Sequence, residues 1–147
     1  MKLFVGAKAV VHFRGKVLLV RESTKYEDGT KPSKWDVVGG RIQAEEEVRA
    51  GLVREVAEES GLTVAAGESL GVFDGWPEIR GEKCHVVRLY FWCEADSDEV
   101  TLSSDHDEYE WVDPGNYVDK ELMDDIAEML ELAGKRIIAH ATLSIGN

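Results

Sequence analysis

The stretch GRIQAEEEVRAGLVREVAEESGL, Gly40 to Leu62, decides how the rest of the chain is read. An α-helix advances roughly 100° per residue, so relative to Glu55 the side chain of Glu58 lies about 60° to one side and that of Glu59 about 40° to the other. Glu55, Glu58 and Glu59 therefore share one helical face within about a turn. Val48, Leu52 and Val56 recur at i, i+4 and i+8 beside that face, a stripe that would pin the helix to a sheet. Glutamate-rich helix faces are more often solvated surfaces than sites. Here the carboxylates follow the glycine turn at Gly40 at fixed distances. Like charges gathered in that way call for a cation between them, and the cation suited to oxygen ligands is a hard divalent metal, which points to phosphate chemistry.

Working outward, the spacing predicts a helix from Glu46 to Ser60. Glu45, Glu46 and Glu47 favour its dipole-positive end, and Gly61 stops it as a left-handed C′ residue. Upstream, Phe4 to Phe13 and Lys16 to Arg21 read as strands joined at Arg14-Gly15. Glu22 to Lys34 is polar and reads as a loop, and Trp35 to Val38 as a short strand running into Gly39-Gly40. Downstream, Leu62 to Ala66, Glu68 to Phe73 and Cys84 to Glu94 read as strands. The run VVRLYFWC is apolar on both faces, as in a central strand. Tyr109 to Val112 is a further strand. Asp119 to Ala133 is a second helix with Leu122, Ile126, Met129 and Leu130 inward, and the tail after Lys135 is ambiguous. The fold class expected is α/β of the α+β type: one domain, a mixed sheet covered on both faces by helices.

The bulk figures bound the function. The chain has 147 residues, enough for one domain with a sizeable core. Its formal net charge of −12 disfavours stable nucleic-acid binding. A small anionic substrate then needs local cations, and seven of the 17 Lys and Arg residues fall between Arg14 and Arg41. Most of these read as a solvated basic face. Cys84 and Cys93 are too few for a disulfide framework or a thiolate zinc site, and read as free, buried thiols of a cytoplasmic protein. No run approaches the roughly 20 apolar residues of a membrane span. Lys8 and His12 interrupt the apolar start, which alternates like a strand rather than a signal peptide.

The spacing of Gly40, Glu46, Arg54-Glu55, Val56, Glu58-Glu59, Gly61 and Leu62 matches at every fixed position the signature of the Nudix hydrolases, which this chain resembles. The Trp-Asp before Gly39-Gly40 and the Trp-Val-Asp-Pro at Trp111 extend the likeness over most of its length. The resemblance implies a Nudix fold and hydrolysis of a diphosphate linkage in a nucleoside diphosphate derivative, with Mg2+ or Mn2+ as cofactor. It implies metal ligation by Glu55, Glu58, Glu59 and the Gly40 carbonyl, with Arg54 orienting the glutamates and Glu46 supporting Arg54. The general base is Glu58 or Asp105 of the loop Ser103 to Glu108; for that loop a simple strand-entry turn is an equal reading. Arg21 is a candidate phosphate ligand, with Lys34 and Arg41 behind it. A nucleoside triphosphate is the first substrate class, ADP-ribose or a dinucleoside polyphosphate the alternative, and a noncatalytic nucleotide-binding module the rival from another class. A homodimer is among the assemblies the resemblance allows.

Three departures stand out. Gln43-Ala44-Glu45 replaces a Glu-Pro-Gly-like turn, Val38 a common proline, and Gly51 an alanine. Gly51 should cost about 1 kcal/mol of helix stability. Among aromatics, Trp76 sits in a loop where it could stack on a base, a lid over the core being the commoner role of such a residue, and Tyr26 is a weaker stacking candidate. Trp92 and Trp111 read as core. His12, His85 and His140 read as packing or surface residues, without zinc-site spacing.

Overall fold

Alternating apolar residues build strands Lys2–Phe13 (β1) and Lys16–Glu22 (β2). Arg14 and Gly15 join them at φ 50° and 80°, a two-residue turn whose twist suits a hairpin. The computed structural model describes residues 1–24 and 32–145, with side chains up to 141, so Lys25, Tyr26 and Lys31 lie outside the described residues. Among the described residues follow Trp35–Asp36 (β3), Val38–Arg41 (β4), helix Val48–Ser60 (α1), Val64–Gly75 (β5), Glu78–Ile79 (β6), Glu82–Ala95 (β7), His106–Val112 (β8) and helix Ile126–Ile145 (α2).

β1 and β2 stay paired only next to their turn and then splay apart. β4 takes the freed edge of β1, with Gly39 opposite Lys8 and Gly40 opposite Ala7. β2 pairs instead with β3 and β8. β7 runs parallel to β1 from Lys2↔Cys84 to His12↔Glu94 and antiparallel to β5 on its other side. That central place explains its apolar residues on both faces, since each face meets a layer.

α1 covers one face: Leu52 and Val56 are fully buried against Ala7, Ala9, Val11, Phe91 and Cys93. α2 covers the other: Ile126, Met129, Leu130 and Ala133 pack on Val10, Leu19, Val37 and Tyr90. Each buried aliphatic side chain contributes roughly 1.5–3 kcal/mol, so both helices are held chiefly by these stripes. The mixed sheet between two helices is the expected α+β architecture.

Several elements differ from expectation. α1 begins at Val48 rather than Glu46, with Glu47 as an N-cap that makes no side-chain cap hydrogen bond and no acidic residue in the first turn. Glu45 instead takes φ 66° in the preceding turn. The two strands expected between Leu62 and Phe73 are one strand, β5, with register shifts between Ala66 and Gly71. The second helix starts at Ile126, not Asp119. The segment before it is held extended: Trp35 N–H donates to Glu121 O at 2.8 Å, and Met123 N–H donates to Trp35 O at 2.8 Å. The ambiguous tail is helical through Ile145. Trp92 is only half-buried, stacked on His12 at 4.1 Å, and Trp111 is half-buried with its Nε1–H donating to Asp98 O at 3.1 Å. Cys84 and Cys93 are free and buried. Among the described residues no helix is long and apolar enough to cross a membrane.

Candidate active site at the glycine turn and helix α1

The splay between β1 and β2 leaves room for β4, whose glycines meet α1 edge-on. A Cβ on Gly39 would collide with the Ala7 carbonyl and stand 2.7 Å from Lys8 Cα, and its φ of 147° is one few side chains accept. A Cβ on Gly40 would stand 2.5 Å from Glu55 Oε2. The two glycines thus let the α1 carboxylates press against the strand. Gly39 N–H donates to Glu59 Oε2 at 3.1 Å.

Arg54 is the hub of the helix face. Its Nε and Nη2 grip Glu46 as a fork at 2.6 and 2.9 Å, while Nη1 donates to Glu55 at 3.0 Å and to Glu58 at 3.2 Å. Glu46 also accepts Gln43 N–H at 3.0 Å, tying the turn to the helix. A planar guanidinium can serve all these acceptors at once, which an ammonium could not. Hydrogen bonding from Arg54 and then from Gln43 holds Glu46 down at a pKa of about 2, so it stays ionised. Gly51 acquires a reason here: a Cβ would stand 2.7 Å from Glu46 Oε1 and 2.8 Å from Ile42 Cδ1.

The carboxylates on the inner side behave oppositely. Glu59 is 8% exposed. Burial, with Glu55 and Asp105 adding repulsion against the pull of Lys8 and Gly39 N–H, pushes it up to about 8. Burial also raises Glu55, against the pull of Arg54. Desolvated, mutually repelling oxygens are what a bound cation relieves. The donor set of three carboxylates and a carbonyl fits a hard divalent ion and no softer metal. Among the described residues no three side-chain ligands are already drawn together as a metal cage; Arg54 lies across Glu55 and Glu58 instead.

The loop before β8 closes one side. Thr101 N–H donates to Ser60 O at 2.9 Å and Ser103 N–H to Glu59 O at 3.2 Å, which caps the carbonyls at the end of α1. Ser23 N–H donates to Asp105 O at 3.0 Å. This docking brings Asp105 within electrostatic reach of Glu59. His106, beside it, is held neutral by burial, its pKa lowered to about 4.

On the face of the sheet away from α1 lies a cleft of about 500 Å³ lined by Asp36, Arg41, Trp76, Arg88, Tyr90 and Asp124, among others. Of the expected substrate ligands, the structure brings Arg41 and Trp76 together here. Trp76 is 56% exposed and stacks on His85 at 5.0 Å, so it is no core lid, and Arg41 lies 3.8 Å from the centre of the Phe4 ring. Arg21 is engaged elsewhere, with Asp107 at 2.7 Å and Glu108 at 3.1 Å. Lys34 pairs with Glu121 at 3.4 Å. The sequence reading missed Lys8, Asp36, Arg88 and Tyr90. Lys8 donates to Asp36 Oδ2 at 2.9 Å. Arg88 donates to Asp125 at 2.7 and 3.0 Å and Tyr90 Oη to the same carboxylate at 3.4 Å. A charged residue inside an apolar strand run was the available signal for Lys8 and Arg88.

Comparison with known proteins identifies the family. The NUDIX domain family model matches residues 3–133. The chain is 25% identical over 114 residues to a CTP pyrophosphohydrolase of Escherichia coli K12, covering 78% of each. It is 31% identical over 108 residues to a MutT-like protein of Streptomyces ambofaciens, covering 74% of this chain and 62% of that one. The crystal structure of a MutT protein from Methanosarcina mazei Go1 superposes with a TM-score of 0.75 at 28% identity, over 92% of this chain and 95% of that one. With its glycine-backed glutamate helix on a sheet of that topology, the chain belongs to the Nudix hydrolase family.

Proposed function

We propose that this hydrolase cleaves a nucleoside triphosphate to a nucleoside monophosphate and pyrophosphate, with Mg2+ or Mn2+ held by Glu55, Glu58, Glu59 and the Gly40 carbonyl. The observation that carries the reading is the pairing of two desolvated glutamates against Gly39-Gly40 with an Arg54 hub that fixes their helix face. When bound there, the divalent ion would offset diphosphate charge and acidify a water. Arg54, locked by Glu46, orients Glu55 and Glu58. Glu58, whose side chain is 58% exposed, would take the proton of the attacking water, with Asp105 the second candidate. Water oxygen bonds to phosphorus as the bridging P–O bond breaks, and the pyrophosphate leaves. In the cleft, Trp76 offers a face for a base and Arg41 a cation for substrate oxygens. Arg21 and Lys34 would serve the phosphates only by exchanging their present carboxylate partners.

The triphosphate is preferred over ADP-ribose because the relative named a CTP pyrophosphohydrolase matches most of both chains. We place the reaction in the cytoplasm, in keeping with two free buried thiols. The experiment is a panel of nucleoside triphosphates, ADP-ribose and dinucleoside polyphosphates, assayed with Mg2+ and with EDTA in 18O-labelled water. Mg2+-dependent release of monophosphate and pyrophosphate, with label in one product, is expected. Turnover undiminished in EDTA, or none of any compound, would overturn the proposal.

A further inference from the structure

Lys8 is a cation in an otherwise apolar stretch of β1. Register places it opposite Gly39 of β4 and Tyr90 of β7. Alternation puts it on the face of Val10, away from α1. That face is the floor of the cleft, where Asp36, Arg88 and Tyr90 contribute lining. The Lys8 side chain is only 15% exposed. An ammonium carries three donors, and one of them reaches Asp36 Oδ2. No second acceptor lies within hydrogen-bonding distance among the described residues. Nearby, and electrostatically coupled to Lys8, His106 keeps a buried Nδ1 with no hydrogen-bond partner. Lys8 lies behind the lining, beside its partner Asp36, which is part of it. Buried polar groups are almost always satisfied, so the spare Lys8 donors there point to a ligand with acceptor oxygens.

Position says which oxygens. Glu59 acts on Lys8 from the α1 side, and Asp36, its hydrogen-bond partner, lines the cleft. Of the cations that line the cleft, Arg88 is bound up with Asp125, and Arg41 lies over the Phe4 ring. A nucleotide with its scissile linkage at Glu55, Glu58 and Glu59 and its base at Trp76 must lay its nucleoside-side phosphate between them. We infer that Lys8 is a substrate-binding residue, donating from beside Asp36 at the edge of the cleft to an oxygen of the phosphate that adjoins the nucleoside, while Asp36 holds the ammonium in place. This rests on the reaction proposed above, and the test separates the two.

Wild type, Lys8→Met and Lys8→Arg are titrated calorimetrically with the four common nucleoside monophosphates, with pyrophosphate and with Mn2+ alone, and assayed for triphosphate turnover. Lys8→Met should weaken monophosphate binding by roughly ten- to a hundredfold, what one charge-assisted hydrogen bond contributes, and raise KM alike. Pyrophosphate and Mn2+ affinity should hold, and Lys8→Arg should recover much of the loss. The inference falls if wild type binds no monophosphate, if folded Lys8→Met binds it unchanged, or if monophosphate, pyrophosphate and Mn2+ affinity all fall together, the mark of a framework role. Should Lys8→Met fail to fold, Lys8→Gln carries the same comparison. Wild type that binds monophosphate through Lys8 yet hydrolyses nothing keeps this inference and overturns the enzymatic reading. Turnover that ignores Lys8 does the reverse.

Discussion

Glu45 holds a left-handed backbone, φ 66°, in the turn before α1. Its side chain is exposed and gains nothing visible from the conformation. Left-handed dihedrals cost a residue with a Cβ about 1–2 kcal/mol. Glu45→Gly should therefore raise stability by about 1 kcal/mol, read as a higher midpoint in urea, with kcat unchanged. Glu46 stands next door in the opposite situation. Glu46→Gln keeps the shape but removes the charge from the Arg54 fork, freeing Arg54 to sit more firmly on Glu55 and Glu58. Turnover should drop by roughly ten- to a hundredfold, the usual effect of losing a residue that orients metal ligands, with far-UV dichroism intact. Helical arithmetic was enough to place the three glutamates on one face. It could not reveal that Arg54 lies between them, nor that Arg21 is taken by Asp107, 86 residues away in sequence. Lys8 and Asp36, 28 residues apart, likewise meet only through the pairing of β3 and β4 with the β1–β2 hairpin.

At the scale of elements, α1 and β4 form one unit. The glycine strand is flat enough for the Glu55 carboxylate to lie on it, and the loop around Thr101 and Ser103 completes the helix end. Gly40→Ala would push Glu55 off the strand by about the width of a methyl group. Displacements near 1 Å can lower rates about a hundredfold, so activity should fall at least that far while thermal stability changes modestly. A paired assay and melting curve check this. The body of α1, the β1–β2 hairpin and the central β7 were legible because each rests on local periodicity or turn chemistry. The start of α2 was not. Asp119 to Met123 has helix-compatible residues, yet its backbone is claimed by Trp35, a long-range pairing no local pattern announces. The fusion of two strands into β5 escaped for a like reason: bulges interrupt alternation without ending the strand.

For the whole molecule, a net charge of −12 and a set of desolvated glutamates make its stability depend on pH and on cations. Glu59 titrates near 4.5 in an unfolded chain and near 8 in the fold. Between those values the folded form holds the extra proton, so each rise in pH favours unfolding. Metal-free protein should lose stability from pH 4.5 toward pH 8, and Glu59→Gln should flatten that slope. On the proposed reading Mg2+ binds the ionised folded form, and should then raise the melting temperature most at the alkaline end. On the proposed mechanism the glutamates behind Gly40 perform the hydrolysis. That role is tested most directly by measuring Mg2+-dependent triphosphate turnover in wild type and Glu59→Gln, with dichroism confirming the fold. The account predicts a loss of about a hundredfold or more, in the range seen when one element of charge stabilisation is removed from an active site. A folded Glu59→Gln that turns over substrate at the wild-type rate would contradict it.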